Sequence, residues 1–263
     1  MPMMIDHGFW RRIRITPASR SVVQNSVAEN AVIAELEDDF HCMSVVLHHN
    51  QGRVLNIEAD MHRAPWSTCP GATTQLLQTF SGAKLSEFPR QGQKKINCTH
   101  LYDLAVLGAA HALDENPTIY DIRVSDPISI YDIRVSDPID HTRQAAIYSN
   151  RRLLLHWIEK NFHLTEPAAA AGIRLDQLRS WIDTLAPELQ EPARLLQWGN
   201  ILANGRVIPL AEQSDATRMP PSCHTFQPER AKLARRVGGI QDFSKETSPP
   251  LTQYSAVKEV RIR

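Results

Sequence analysis

Two cysteines with chemically loaded neighbours stand at the starts of predicted helices. Cys69 lies in Arg63-Ala-Pro-Trp-Ser-Thr-Cys-Pro-Gly-Ala72, and Cys98 lies in Asn97-Cys-Thr-His-Leu-Tyr-Asp103. A thiol at a helix N-terminus feels the positive end of the macrodipole and several free N–H groups. That placement is expected to lower its pKa, and thiolate is the form that attacks electrophiles or binds metals. With His41, Asp39 and His100 added, the donors are the mixed sulfur, nitrogen and oxygen set that suits zinc or iron. The expected metal ligands are therefore Cys69, Cys98, His41, Asp39 and His100. In the expected catalytic set, His100 or His41 moves protons, Arg63 grips a substrate carboxylate through its fork, and Tyr102 donates a proton. Asp103, three residues beyond His100 on one helix face, would orient that imidazole.

Plainer readings stand beside these. A free cysteine is often a small buried hydrophobe. Arg63 is equally suited to pairing with Asp38 or Asp39, and Trp66 to anchoring a loop on the core. Tyr102 is as readily a packing ring, and Asp103 a favourable acid in a first helical turn. Cys42 and Cys223 lack a helix-start context and read as structural.

Strands and helices must position these groups. Arg11–Ile15 is predicted as a short strand and Ala31–His49 as a longer one, with Glu35, Glu37, Asp39 and His41 on one face. A turn at Gln51-Gly52 leads to a returning strand, Arg53–Met61. That hairpin is expected to bring His41 and Arg63 together across the strands. Pro70 suits a first helical position, making Cys69 the expected N-cap of a helix to Phe80. Phe88–Gln93 is expected as a loop, and a second helix runs from Thr99 to about Leu113. Ile119–Ile128 recurs residue for residue as Ile130–Ile139. One copy is expected as a strand, the other as a longer loop or an extra edge. A second hairpin is predicted around Ser149-Asn150, followed by helices over Leu175–Leu185 and Pro187–Asn204. Trp157, Trp181 and Trp198 fall on apolar stripes expected in the core. The polar, Pro-punctuated remainder, 207–263, is expected as a flexible tail.

Composition bounds the function classes. In 263 residues there are 29 Lys+Arg and 29 Asp+Glu, so no net field recruits nucleic acid or an anionic membrane. No apolar run approaches the roughly 18 residues that span a bilayer. The N-terminus lacks the pattern of a secretory signal. Four cysteines in a chain this long do not make a disulfide framework. A cytoplasmic protein with reduced thiols is expected. With 11 glycines and no Gly-x-Gly-x-x-Gly, no nucleotide cofactor is expected.

Glu37-Asp-Asp-Phe-His41, the Arg63–Ala72 motif and Cys98-Thr-His-Leu-Tyr-Asp-Leu104 resemble a bacterial family catalogued as domain of unknown function 2889. With the Trp157 strand and the last helices, the likeness covers most of 10–206. The order of strands, Cys69-Pro-Gly-Ala, Gly82-Ala-Lys-Leu85 and Lys95-Ile-Asn-Cys-Thr-His100 also resembles the iron–sulfur cluster scaffold (NifU N-terminal-like) fold. Two departures are plain: no cysteine stands near Glu37–Asp39, and the scaffold's His-Cys pair is here Cys98-x-His100.

The expected fold is α+β. An antiparallel meander with Cys-initiated helices over 10–115 carries the site, and a second small antiparallel sheet with C-terminal helices over 117–206 packs on it. The expected function is a metal- or thiolate-dependent lyase or hydrolase acting on a small, aromatic or carboxylated substrate. The alternatives are a sulfur or iron–sulfur carrier, and a binding module with structural cysteines. A homodimer is left open.

Overall fold

Alternation of apolar and polar residues, broken by turn residues, sets the strands of this chain. The computed structural model describes residues 5, 7–20, 29–127, 142–206, 208–209, 212–246 and 248–256. The strands are β1 (Gly8–Arg20), β2 (Glu29–Glu37), β3 (Cys42–Asn50), β4 (Arg53–Arg63), β5 (Thr118–Ser125), β6 (Thr142–Ser149), β7 (Arg152–Lys160) and β8 (His163–Glu166). They form one antiparallel sheet in the order β4-β3-β2-β1-β5-β6-β7-β8. The helices are α1 (Ala72–Phe80), α2 (Thr99–Ala110), α3 (Arg179–Ile182), α4 (Pro187–Ala203) and α5 (Pro228–Ala231). The α+β class expected from the sequence is the observed one.

Two-residue loops set three hairpin registers. Asn50 pairs with Arg53, Ser149 with Arg152 and Lys160 with His163. Gln51-Gly52, Asn150-Arg151 and Asn161-Phe162 all have positive φ. This is the turn geometry whose twist matches that of the flanking strands.

The chain divides into two units. The first comprises Ile13–Ile119, Leu210–Gln241 and Pro250–Arg263. In it α2 lies on β2 and β3, burying Leu101, Leu104 and Leu107. Gly108 makes the close approach: a Cβ there would meet that of Ala34 at 3.4 Å. Strand β3 is buried along nearly its whole length, because its other face is covered too. There Ala31, Ile33 and Val46 pack with Ala256 of the C-terminal segment.

The expected strand Ala31–His49 is in fact two strands joined at Asp38–His41, with Glu37 paired to Cys42. The period-2 spacing of Glu35, Glu37, Asp39 and His41 gave the run its continuous look, but Asp38 supplies the turn. Its Oδ1 accepts the N–H groups of Phe40 at 2.7 Å and His41 at 2.8 Å. A short carboxylate satisfying its own next turn is what makes Asp a turn former. Of the expected loop Phe88–Gln93, Phe88–Arg90 end a 3-10 helix, Leu85–Arg90, and Gln91–Gln93 are loop. Residues expected as a tail contribute Ala216, Ala231 and Ala234, which pack with Trp66 in a second small core.

The other unit comprises Met1–Arg12, Tyr120–Pro209 and Asp242–Pro249. Helix α4 packs on β6 and β7, and Gly199 is required because a Cβ there would stand 2.6 Å from Ile122 Cγ2. The first copy of the repeated sequence supplies β5; the second lies outside the described residues. The helix expected over Leu175–Leu185 is broken into a 3-10 turn, Leu175–Gln177, and α3. Of the three tryptophans, Trp157 is fully buried.

Buried with Trp157 is an ion pair, Arg143 Nε to Glu159 Oε1 at 2.7 Å, with both side chains 3% exposed. Arg143 also donates to Asn200 Oδ1 at 3.3 Å. Removing one partner leaves the other charge stranded in the interior. Glu159→Ala is expected to lower unfolding free energy by about 3–5 kcal/mol, whereas the double change Arg143→Met, Glu159→Leu should recover most of that loss. Urea denaturation of the three chains measures both.

Candidate functional site

The turn at Asp38–His41 does more than join two strands. His41 Nδ1 lies 3.0 Å from Asp38 Oδ1, the oxygen that already accepts two backbone N–H groups, and 3.4 Å from Oδ2. A carboxylate only accepts, so the ring proton is assigned to Nδ1 and Nε2 becomes the acceptor of the neutral imidazole. Both residues are buried, Asp38 fully. The His41 ring packs on that of His100, with centroids 4.0 Å apart and planes tilted by 31°. His100 Nδ1 stands 4.0 Å from Cys98 Sγ. Asp38, His41, His100 and Cys98 thus follow one another across the turn and the start of α2.

Cys98 occupies the N-cap position of α2, as the sequence indicated. Cys69 is not an N-cap: it is the first residue of a 3-10 turn, Cys69–Gly71, preceded by Thr68, and α1 begins at Ala72. The expectation of lowered thiol pKa values is overturned. Burial pushes Cys98 up to about 12, and Cys69 and Cys223 nearby add to the rise. The N–H groups of Leu101 and His100 at the helix start pull the other way and are outweighed. Burial likewise raises Cys69 against the opposing hydrogen bond from Thr225, and raises Cys223. Desolvation of a charge outweighs a helix-end dipole, which is worth at most a few kcal/mol.

Arg63 and His41 do not face each other. Arg63 pairs across the strands with Cys42, one residue on from His41. Its guanidinium NH2 donates to Glu37 Oε1 at 3.1 Å and to the Asp38 carbonyl at 2.8 Å. It therefore braces the turn that carries the Asp38–His41 pair. Asp39 is buried and its carbonyl accepts the Gln241 N–H at 2.8 Å. Asp103 takes both its oxygens to Lys94 Nζ, at 2.6 and 2.7 Å, in an exposed ion pair. Tyr102 is buried with its ring 5.0 Å from that of Phe80, and burial raises its pKa. Trp66 is buried edge-on to Phe226 and anchors a loop.

The sequence reading took Asp38 only as a counter-ion for Arg63 and missed it as the partner of His41, although an Asp three residues before a His just ahead of an apolar strand is a visible signal. It also read Cys223 as structural and passed over His224 and Thr225. Thr225 Oγ1 stands 3.3 Å from Cys69 Sγ, and the His224 N–H donates to the Asn97 carbonyl at 2.8 Å. His224 Nε2 lies over Gly71, where a Cβ would come within 3.2 Å. This segment brings a third thiol, Cys223, to the neighbourhood of the other two.

Among the described residues, no group of three or more His, Cys, Asp or Glu side chains is arranged to hold a metal ion. As placed, the five expected ligands do not fit a single metal centre. No helix among the described residues is long and apolar enough to cross a membrane. Comparison with protein-family models, curated proteins and solved structures finds no match for this chain. The resemblances drawn from its motifs rest on those motifs alone.

A group whose pKa is raised on folding is protonated below its ordinary value and costs stability as pH rises toward its folded value. At about pH 8 the folded chain should react with iodoacetamide at Cys98 at least tenfold more slowly than the unfolded chain. Its melting temperature should fall as pH climbs from about 9 to about 12. Mass spectrometry of the labelled cysteine and a pH series of thermal melts are the measurements. Fast labelling of folded Cys98 would show an accessible thiolate instead.

Proposed function

We propose that the unit carrying Asp38 and His41 is an enzyme that moves a proton on a small organic substrate, a hydrolase or lyase in class. The observation that carries this reading is the buried Asp38–His41 pair, 3.0 Å apart, with its carboxylate fixed by two backbone N–H groups. An imidazole held in one tautomer by a buried carboxylate is a prepared general base. His41 Nε2 takes the proton from a substrate C–H or from a water. The imidazolium so formed is stabilised by Asp38, and His41 then returns the proton to the leaving group. Cys98 enters as a neutral thiol. It acts as a nucleophile only if a base such as His100 takes its proton as the new bond forms. With Arg63 engaged at Glu37 and Trp66 buried, the substrate is defined by its abstractable proton rather than by a ring or a carboxylate.

A screen of activated esters, thioesters and hydroxy acids tests this. His41→Ala should cut kcat/KM by about 10²–10⁴, with Asp38→Asn somewhat milder. No turnover by the wild-type chain, or turnover indifferent to His41→Ala, would sink the reading.

One observation favours a second reading, a sulfur or iron–sulfur carrier. Cys223 supplies a third thiol beside Cys69 and Cys98, where the scaffold resemblance had only two. A cluster spans more space than a single ion and accepts more widely spaced thiolates. Anaerobic incubation with iron and sulfide should then give a coloured protein. A colourless product, or colour retained in Cys223→Ser, removes this reading.

A further inference from the structure

The C-terminal segment, expected as part of a tail, lies across the face of β2 and β3 opposite α2. Its hold on that face is polar as well as apolar. The Ala256 N–H donates to Glu35 Oε1 at 2.7 Å, and the Leu251 N–H donates to Glu37 Oε2 at 2.5 Å. Both carboxylates are buried, Glu35 fully. Arg14 donates to Glu35 at 2.7 Å and reaches the Leu251 and Tyr254 carbonyls at 3.4 and 3.5 Å. The Tyr254 hydroxyl donates to Asp60 at 3.2 Å and stands 3.0 Å from Ser44 Oγ. The Tyr254 ring stacks 5.2 Å from that of His62. Leu251 is held at φ 62°, a left-handed conformation that a bulky residue adopts only when its surroundings impose it.

Glu37 connects this segment to the candidate site. One of its oxygens takes the Leu251 N–H and the other takes Arg63, whose same NH2 group also donates to the Asp38 carbonyl. Asp38 is the residue whose side chain closes the turn and holds His41. Each link is a hydrogen bond to a charged group in a mostly buried setting, the kind worth the most and the costliest to leave unmade. The Gln241 N–H donates to the Asp39 carbonyl in the same turn.

We propose that Glu37 is a positioning residue for the Asp38–His41 pair, and that the C-terminal segment, through the Leu251 N–H, is what holds Glu37 in place. The proposal deepens the acid–base reading and shares its site, but not its dependence on a substrate. With Leu251 bound, Glu37 has one oxygen left and one orientation in which to present it to Arg63. Without Leu251 the carboxylate is free to turn. Arg63 then loses its fixed contact with Glu37, and its hold on the Asp38 carbonyl loosens.

The proton shared between His41 Nδ1 and Asp38 is a spectroscopic reporter that needs no turnover. It should give a far-downfield proton resonance in the full chain, assigned by its loss in His41→Ala. Two variants probe the link: a chain ending at Pro249, and full-length Glu37→Gln. Glu37→Gln keeps the apolar cover of Ala256 and decides the matter if the shortened chain does not fold. In both, the resonance is expected to move upfield or broaden away while far-UV dichroism stays native. An unmoved resonance in Glu37→Gln overturns the proposal, as does the lack of any such resonance in the wild-type chain. A wild-type chain with the resonance but without activity would end the proposed reaction and leave the positioning role standing.

Discussion

The Asp38 carboxylate, folded back on its own turn, is the interaction on which the candidate site depends. Three hydrogens point at Oδ1, two from the backbone and one from an imidazole. The two backbone bonds make the turn, so β2 and β3 pair in the register that sets Glu37 opposite Cys42. The third fixes an imidazole. A carboxylate without these donors would carry a desolvation cost of several kcal/mol at this depth. The fold thus holds a charge in its interior only because the chain around it supplies N–H groups, and one local conformation serves both topology and chemistry. Arg63 and Glu37 stand around the same corner, so the hairpin sets the Asp38–His41 pair to which the start of α2 adds His100 and Cys98.

How far this could be read from the sequence varied with the kind of signal. Two of the hairpins were legible because Gly52 and Asn150 are residues that accept positive φ at small cost; the one at Asn161-Phe162 was not foreseen. Helix α2 was legible from its apolar spacing, and α4 from Pro187 at one end. The break at Asp38 was not, because the alternation of Glu35, Glu37, Asp39 and His41 runs through it as it would through one continuous strand. The covering of the second face comes from Ala256, more than two hundred residues away, and no local pattern announces it. For the same reason 207–263 looked like a tail. Its polar, Pro-rich composition suits a segment that packs by backbone donors onto buried carboxylates as well as it suits one that packs on nothing.

The cysteines show a different limit. Their placement at helix starts was read correctly for Cys98, but the chemistry inferred from it had the wrong sign. Helix-end amides do act on the Cys98 sulfur, and burial exceeds them. Sequence position reports the dipole, whereas only the three-dimensional structure reports the desolvation. Histidine was the better guide. His41 and His100 are far apart in sequence yet stack ring on ring, and the carboxylate that orients one of them sits three residues away in the chain.

The buried Arg143–Glu159 pair has a consequence for strand alignment. These residues face each other across β6 and β7. A slip of one residue would put the two side chains on opposite faces of the sheet. A slip of two would set Arg143 opposite Trp157 or Asn161, neither of which carries a countercharge. Either error would bury unneutralised charge, while the neighbouring pairs, such as Ala145 with Trp157 and Ile147 with Leu155, would tolerate sliding far better. The pair adds little net stability over an apolar equivalent. Its effect is to make every misaligned version of this hairpin expensive, so that two strands of otherwise forgiving composition have a single way to meet.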